Sequence, residues 1–373
     1  MKSKELFFFI GTEAELIKVF TVIIECQQKG CICHIIASGQ NDLGRSRILP
    51  IIELNGQYIE LGKEEDIRKS TAGLLKWFIL TKASARKIIQ KRMDIKSMKH
   101  APLIVHGDTI STLMGAILGK ELGMRVCHIE AGLRSHNYFN PFPEEIDRVL
   151  TSKIARFHFA PSEEAVKNLE RARGTVVCTK YNTILDSLQY SLKIDIVSTE
   201  IQKLMGKDFF VFVMHRQENL MNSEFVRAVL KEIIKLAEQK QCVLILHKIT
   251  ENKLREMGVL AKLKNNRQFI LLPRVDYFDF MKLLNQAKYV ITDGGSNQEE
   301  LAYMGKPCLI MRKETERQDG IGNNAVLFGG KVKNIAIFAK NYRKYSKEAI
   351  VPEKSPSNII AGKLERMICE ESI

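Results

Sequence analysis

Along the 373 residues, short unbroken apolar runs alternate with longer stretches whose apolar positions recur every three or four residues. In the first half the runs ELFFFIG, CICHIIASG, APLIVHGD, MRVCHIE, FHFAPS and TVVCTK predict buried strands. FFVFVMHR, CVLILHK, QFILLP, YVITDGG and PCLIMR repeat the scheme in the second half. Strands that are apolar at successive positions are covered on both faces, and helices between them make the sheet parallel. Two such series, broken near residues 180–205, predict an α/β protein of two doubly wound, Rossmann-like parallel-sheet domains. The expected division is 1–180, 181–355 and a last helix in 356–373 that returns to the N-terminal domain.

The composition narrows the setting. With 45% hydrophobic residues the chain can bury one large core or two. No apolar run reaches the roughly eighteen residues a spanning helix needs. The start MKSKELFFFIG has too short an apolar run for a signal peptide and reads as a first strand. Eight scattered cysteines, with no CxxC pair or zinc spacing, read as reduced core residues of a cytoplasmic protein.

A net charge of +14 favours anionic partners. Nucleic acid is the weakest of these, because no zinc finger, RRM-type aromatic signature or helix-turn-helix pattern is present. The densest basic stretch, Leu74 to His100, carries eight lysines and arginines against Asp94 and holds the single tryptophan, Trp77. It reads either as a packed helix with a solvated basic face or as an interfacial helix on the anionic inner face of a membrane.

Ligands of open parallel sheets bind at the C-terminal ends of the strands, and here the distinctive residues cluster at those ends. HGD and HIEAG follow two strands of the first domain, MHRQEN and DGG two of the second. The expected site is the cleft between the domains. After YVITDGG, glycines before a helix let backbone N–H groups approach a phosphate, and Glu300 one turn in could accept ribose hydroxyls. NPFPEEIDR opens a helix with Pro143 at its first position and a Glu144–Arg148 ion pair, leaving Glu145 and Asp147 at the surface. Asp108, Glu130 and Glu144 brought into one cleft would repel, which raises carboxyl pKa values as an acid or base requires. His215 and Arg216 would join them from the opposite domain. No two of these groups have a recognised metal spacing.

These motifs resemble the non-hydrolysing UDP-N-acetylglucosamine 2-epimerases, which have the GT-B fold. The resemblance runs through GTEAELIK, HGDT, HIEAGLRS with PFPEEIDR, YNTILDSL, MHRQEN and TDGGSNQEE with GKPCLIMRKETER. It implies Asp108, Glu130, Glu144 and His215 at catalytic positions, with Lys18 and Arg134 nearby. It places UDP on the C-terminal domain, with Glu300 on the ribose and Gly294, Gly295 and Ser296 near the phosphates. The implied reaction eliminates UDP across C1–C2 to a 2-acetamidoglycal and adds it back with C2 inverted, for cell-surface polysaccharide precursors. It needs no metal or nicotinamide, and family members are commonly homodimers.

The chain departs from the family at several positions. Glu13-Ala14 stands where the family has Arg-Pro, reversing a charge expected near the diphosphate; Arg216 or Arg317 is the expected substitute cation. The phosphate turn reads Asp-Gly-Gly-Ser-Asn for the family's Asp-Ser-Gly-Gly-Ile. Tyr181 replaces a glycine, and Asn41 replaces a histidine of the segment that binds regulatory sugar nucleotide in some members. Three readings follow: a 2-epimerase of a UDP-N-acetylhexosamine, a GT-B glycosyltransferase acting on a lipid-linked or polysaccharide acceptor, and a catalytically impaired binding homologue.

Overall fold

The structure, a computed structural model, describes residues 4–62, 71–96, 98–138, 142–294, 296–312 and 318–369. The chain divides into two compact units, residues 1–187 with 353–373, and residues 188–352.

The first unit is built on a seven-stranded sheet: β1 (Glu5–Ile10), β2 (Ile32–Ala37), β3 (Tyr58–Glu60), β4 (Pro102–His106), β5 (Arg125–Ile129), β6 (Phe157–Ala160) and β7 (Thr175–Cys178). Their order is β3-β2-β1-β4-β5-β6-β7, every neighbouring pair parallel. Helices cover both faces, so the strand cores Leu6–Ile10 and Leu103–Val105 are buried along their whole length. Each fully buried leucine or phenylalanine there contributes about 1.5–3 kcal/mol. The chain winds outward in both directions from β1 and β4. The loops leaving those two strands therefore turn to opposite faces and open a crevice between them.

The second unit repeats this plan with β8 (Phe209–Val213), β9 (Gln241–Leu246), β10 (Phe269–Pro273), β11 (Val290–Thr292), β12 (Cys308–Ile310) and β13 (Ala325–Leu327). The order β10-β9-β8-β11-β12-β13 is again parallel throughout and puts its crevice between β8 and β11. All eleven strands expected from the apolar runs are present, and the doubly wound α/β reading holds. The two the runs do not reveal, β3 and β13, are three-residue edge strands that are only partly buried, so they leave no unbroken apolar run.

The helix Pro356–Cys369 lies in the first unit against the helix Glu13–Gln28. The hydroxyls of Thr21 and Ser357 are 2.8 Å apart, the Ser357 N–H donates to Asp186, and Lys4 pairs with Glu365 at 3.0 Å.

The basic stretch forms the helix Thr71–Gln90. Trp77, Ala85 and Ile89 are core residues of the first unit, so the tryptophan faces inward. Leu75, Ile79 and Leu80 are 55%, 56% and 58% exposed on the opposite side, among the exposed Lys76, Arg86 and Lys87. Among the described residues, no helix is long and apolar enough to cross a membrane. Six of the eight free cysteines are buried, whereas Cys178 is half-buried and Cys369 is exposed on the last helix.

Candidate active site

At the crevice of the first unit, the loop Gly11-Thr12 leaves β1, and the Thr12 side chain caps the helix Glu13–Gln28 by accepting from the Glu15 N–H. Glu15 points back into the protein. Its buried carboxylate accepts from the Gly11 N–H at 2.6 Å and from the Thr109 hydroxyl at 2.5 Å. Burial raises its pKa, against the pull of those two donors and of His106. Glu13, the charge-reversed position, is half-buried, and its N–H donates to Asn41 Oδ1 at 3.3 Å.

Glu130 follows β5 with φ +63°. That left-handed backbone costs a residue with a Cβ about 1–2 kcal/mol, and it aims the carboxylate across the sheet end. Lys18 Nζ and Asn182 Nδ2 each donate to Oε2 at 2.5 Å, and His106 Nε2 lies 3.3 Å from the same oxygen. Three stretches far apart in sequence thus fix one carboxylate.

A second network joins Asp108, after β4, to the helix Glu144–Ile154. The Arg148 guanidinium is hydrogen-bonded to Asp108 and also lies 3.5 Å from Glu145. Glu145 accepts from Arg134 Nε at 2.6 Å and from the Ser135 N–H at 2.9 Å. Burial opposes its ionisation, but Ser135, Arg134 and Arg148 together hold its carboxyl below the usual carboxylate range.

This geometry corrects the sequence expectation for the helix. Arg148 pairs with Asp108 and Glu145, not with Glu144. Glu145 and Asp147, expected at the surface, are 0% and 4% exposed. Pro143 sits at the cap position, one residue before the first helical residue. Burial, then Glu144, then Asp108 push the Asp147 carboxyl up to about 7.

In the second unit the crevice is organised by Asp293, at the end of β11 and fully buried. Its carboxylate accepts from the backbone N–H groups of His215 and Arg216, both at 2.9 Å, and from Asn219 Nδ2 at 3.0 Å. The His215 ring stacks on His247 with centroids 4.4 Å apart, and its Nδ1 is 3.4 Å from Asp293. Burial and the neighbouring His215 lower the His247 pKa to about 4, so that ring is neutral at pH 7. A Cβ on Gly294 would fall 2.8 Å from His215 Cε1, which explains the glycine by close approach. Arg216 Nε pairs with Glu218 at 2.7 Å, and Arg312 Nε donates to the Asp293 carbonyl. Glu300 is buried on the helix Ser296–Tyr303 and acts electrostatically on the buried phenol of Tyr277. Gly295, the Ser296 side chain and Arg317 lie outside the described residues.

Of the expected site residues, Lys18, Asp108, Glu130, Arg134 and Glu144 gather at the first crevice, and His215, Arg216, Gly294 and Glu300 belong to the second unit. The sequence reading missed Glu15, Asn182, the pairing of Arg148 with Asp108 and the anchoring role of Asp293. Only Asp293 carried a local signal, an acid ending a strand before glycines.

Two doubly wound units of this strand order define the GT-B class. The family model described as UDP-N-acetylglucosamine 2-epimerase matches residues 80–358. The UDP-N-acetylglucosamine 2-epimerase of Salmonella borreze is 31% identical over 87% of this chain and 85% of its own length. That of Methanocaldococcus jannaschii is 29% identical over 87% and 88%. The crystal structure of the latter enzyme in complex with UDP-GlcNAc and UDP superposes with a TM-score of 0.74 at 26% identity, covering 97% of this chain and 99% of that one. The chain belongs to the UDP-N-acetylglucosamine 2-epimerase family.

Proposed function

We propose that the protein inverts C2 of a UDP-N-acetylhexosamine by eliminating UDP and adding it back. The observation that carries this reading is the pair of carboxylate networks at the first crevice, one built on Glu130 and one on Asp108. In the forward step a carboxylate takes the C2 proton, the freed electron pair forms the C1=C2 bond, and the C1–O bond breaks so that UDP leaves with its electrons. In the return step a UDP oxygen adds to C1 and a proton is delivered to the other face of C2. A proton removed from one face and returned to the other needs two acid–base groups. Asp108, Glu130 and Glu144 are the candidates, with Lys18 and Arg134 holding the charge around them. In the second unit we assign His215 a catalytic role, and Arg216, Gly294, Gly295, Ser296, Glu300 and Arg317 the grip on UDP, with the cations countering the diphosphate charge.

Incubation with UDP-GlcNAc in deuterated water, followed by proton NMR, tests the reading. Loss of the C2 proton signal with appearance of the C2-inverted product is expected. A glycosyltransferase on the same fold would leave the C2 proton in place, and that outcome would overturn the proposal.

The proposal includes a cytoplasmic homodimer in polysaccharide precursor synthesis. The exposed Leu75, Ile79 and Leu80 among cations support peripheral contact with an anionic membrane. Light scattering tests the dimer and vesicle flotation the lipid contact.

A further inference from the structure

The turn that leaves β7 delivers one side chain to the first crevice. The Thr179 N–H donates to the Ala160 carbonyl at 2.8 Å, and its hydroxyl donates to the Tyr181 carbonyl at 2.8 Å. Lys180 between them takes the left-handed backbone, φ +64°. Asn182 follows, 4% exposed, just before the helix Ile184–Lys193. Its Oδ1 accepts from the Ile184 N–H at 3.3 Å and from the Thr183 hydroxyl at 3.4 Å. A carboxamide has one accepting and one donating end, so Nδ2 faces the other way and donates to Glu130 Oε2 at 2.5 Å. Turning the amide over would set Oδ1 against the carboxylate and the NH2 group against the Ile184 N–H. The helix is tied in turn to the one that carries Lys18, because the Ser187 hydroxyl donates to the Ile17 carbonyl at 2.5 Å.

We propose that Asn182 is a positioning residue of the proton-transfer site, an amide locked in one orientation that fixes how the Glu130 carboxylate meets the crevice. This rests on the epimerase reading. Lys18 and Asn182 both donate to the same oxygen, Oε2, and His106 Nε2 lies 3.3 Å from it. An oxygen that accepts two N–H donors has its lone pairs committed. When the C2–H bond breaks, its electron pair goes into C1=C2 and the proton goes to Oε1. Lys18 alone could follow a turning carboxyl on its flexible stem, whereas Asn182 is held at both ends of its amide and cannot. The amide also has no protonation state to change. It therefore holds Oε2 in the same way before and after Oε1 takes up a proton.

The test is Asn182→Ser. Serine keeps an acceptor for the Ile184 N–H but is too short to reach Glu130. With UDP-GlcNAc, kcat should fall about 10²-fold, while KM and the calorimetric affinity for UDP stay within about threefold of the parent. A residue that serves folding alone would leave kcat of the folded variant near the parent's, or would worsen KM and UDP affinity along with it, and either result would overturn the proposal. A second measurement needs neither turnover nor this variant. In the full chain labelled with nitrogen-15, one Nδ2 proton of Asn182 should resonate downfield, and Glu130→Gln should move it upfield as the charged acceptor is lost. An Asn182 resonance indifferent to Glu130→Gln would overturn the proposal even where Asn182→Ser does not fold. If the parent converts no UDP-sugar, the epimerase reading fails, and the NMR comparison still decides whether Asn182 holds Glu130.

Discussion

The two crevices have the same strand order and opposite contents. In the first unit, side chains are tied to side chains: Lys18 and Asn182 to Glu130, Arg148 to Asp108, Arg134 to Glu145. In the second, the buried carboxylate of Asp293 is committed to two backbone N–H groups and Asn219, and a glycine leaves room for a histidine ring. Topology therefore fixes where a site opens, and the side chains delivered there fix what it can do. The first rim is built from side-chain ion pairs and hydrogen bonds. The second is framed by backbone donors on one carboxylate, with His247 held neutral.

That contrast can be broken by substitution. The largest effect is expected at Glu130→Gln, which removes the charge but leaves an acceptor for Lys18 and Asn182. On the acid–base reading kcat should fall about 10²–10⁴-fold with UDP affinity little changed. Steady-state kinetics with calorimetric UDP binding checks this, and a kcat within threefold of the parent would remove Glu130 from the chemistry. Next comes Asp293→Ala, which strips the acceptor from three donors. It should lower unfolding free energy by about 3 kcal/mol and weaken UDP binding, as read by urea denaturation and calorimetry. If stability were unchanged, the frame would not depend on that carboxylate. The smallest change is expected for Glu13→Arg at the half-buried loop position. A charge restored opposite a diphosphate there should lower KM about threefold, since partly exposed pairs contribute about 1 kcal/mol or less. An unchanged KM would mean that Glu13 lies outside the field of the diphosphate.

Much of the fold was legible because parallel strands buried on both faces write themselves as unbroken apolar runs, as in ELFFFI and FFVFV. The strand-end acids were legible for the same reason, since each ends such a run. The helix Glu144–Ile154 was legible in its start but not in the face it buries. Its buried positions are Glu145, Asp147 and Thr151, while Leu150 faces solvent, so its hydrophobic pattern points the wrong way. What makes that inward polar face stable is Arg134 and Asp108 from other elements, and no local window contains them. Asn182 was invisible likewise, because it meets Glu130 across 52 residues of chain.

The helix Pro356–Cys369 also has a consequence for the order of events during synthesis. The second unit is, in effect, an insertion within the first, because residues 353–373 complete a body begun by residues 1–187. At the ribosome the first sheet emerges with the flank along Glu13–Gln28 still bare. Translation of residues 188–352 then takes roughly ten to thirty seconds before the covering helix is made. For that interval the nascent first unit presents Thr21 and its apolar neighbours to the surroundings, the state in which a chaperone would meet it. The inserted unit is contiguous and can close first.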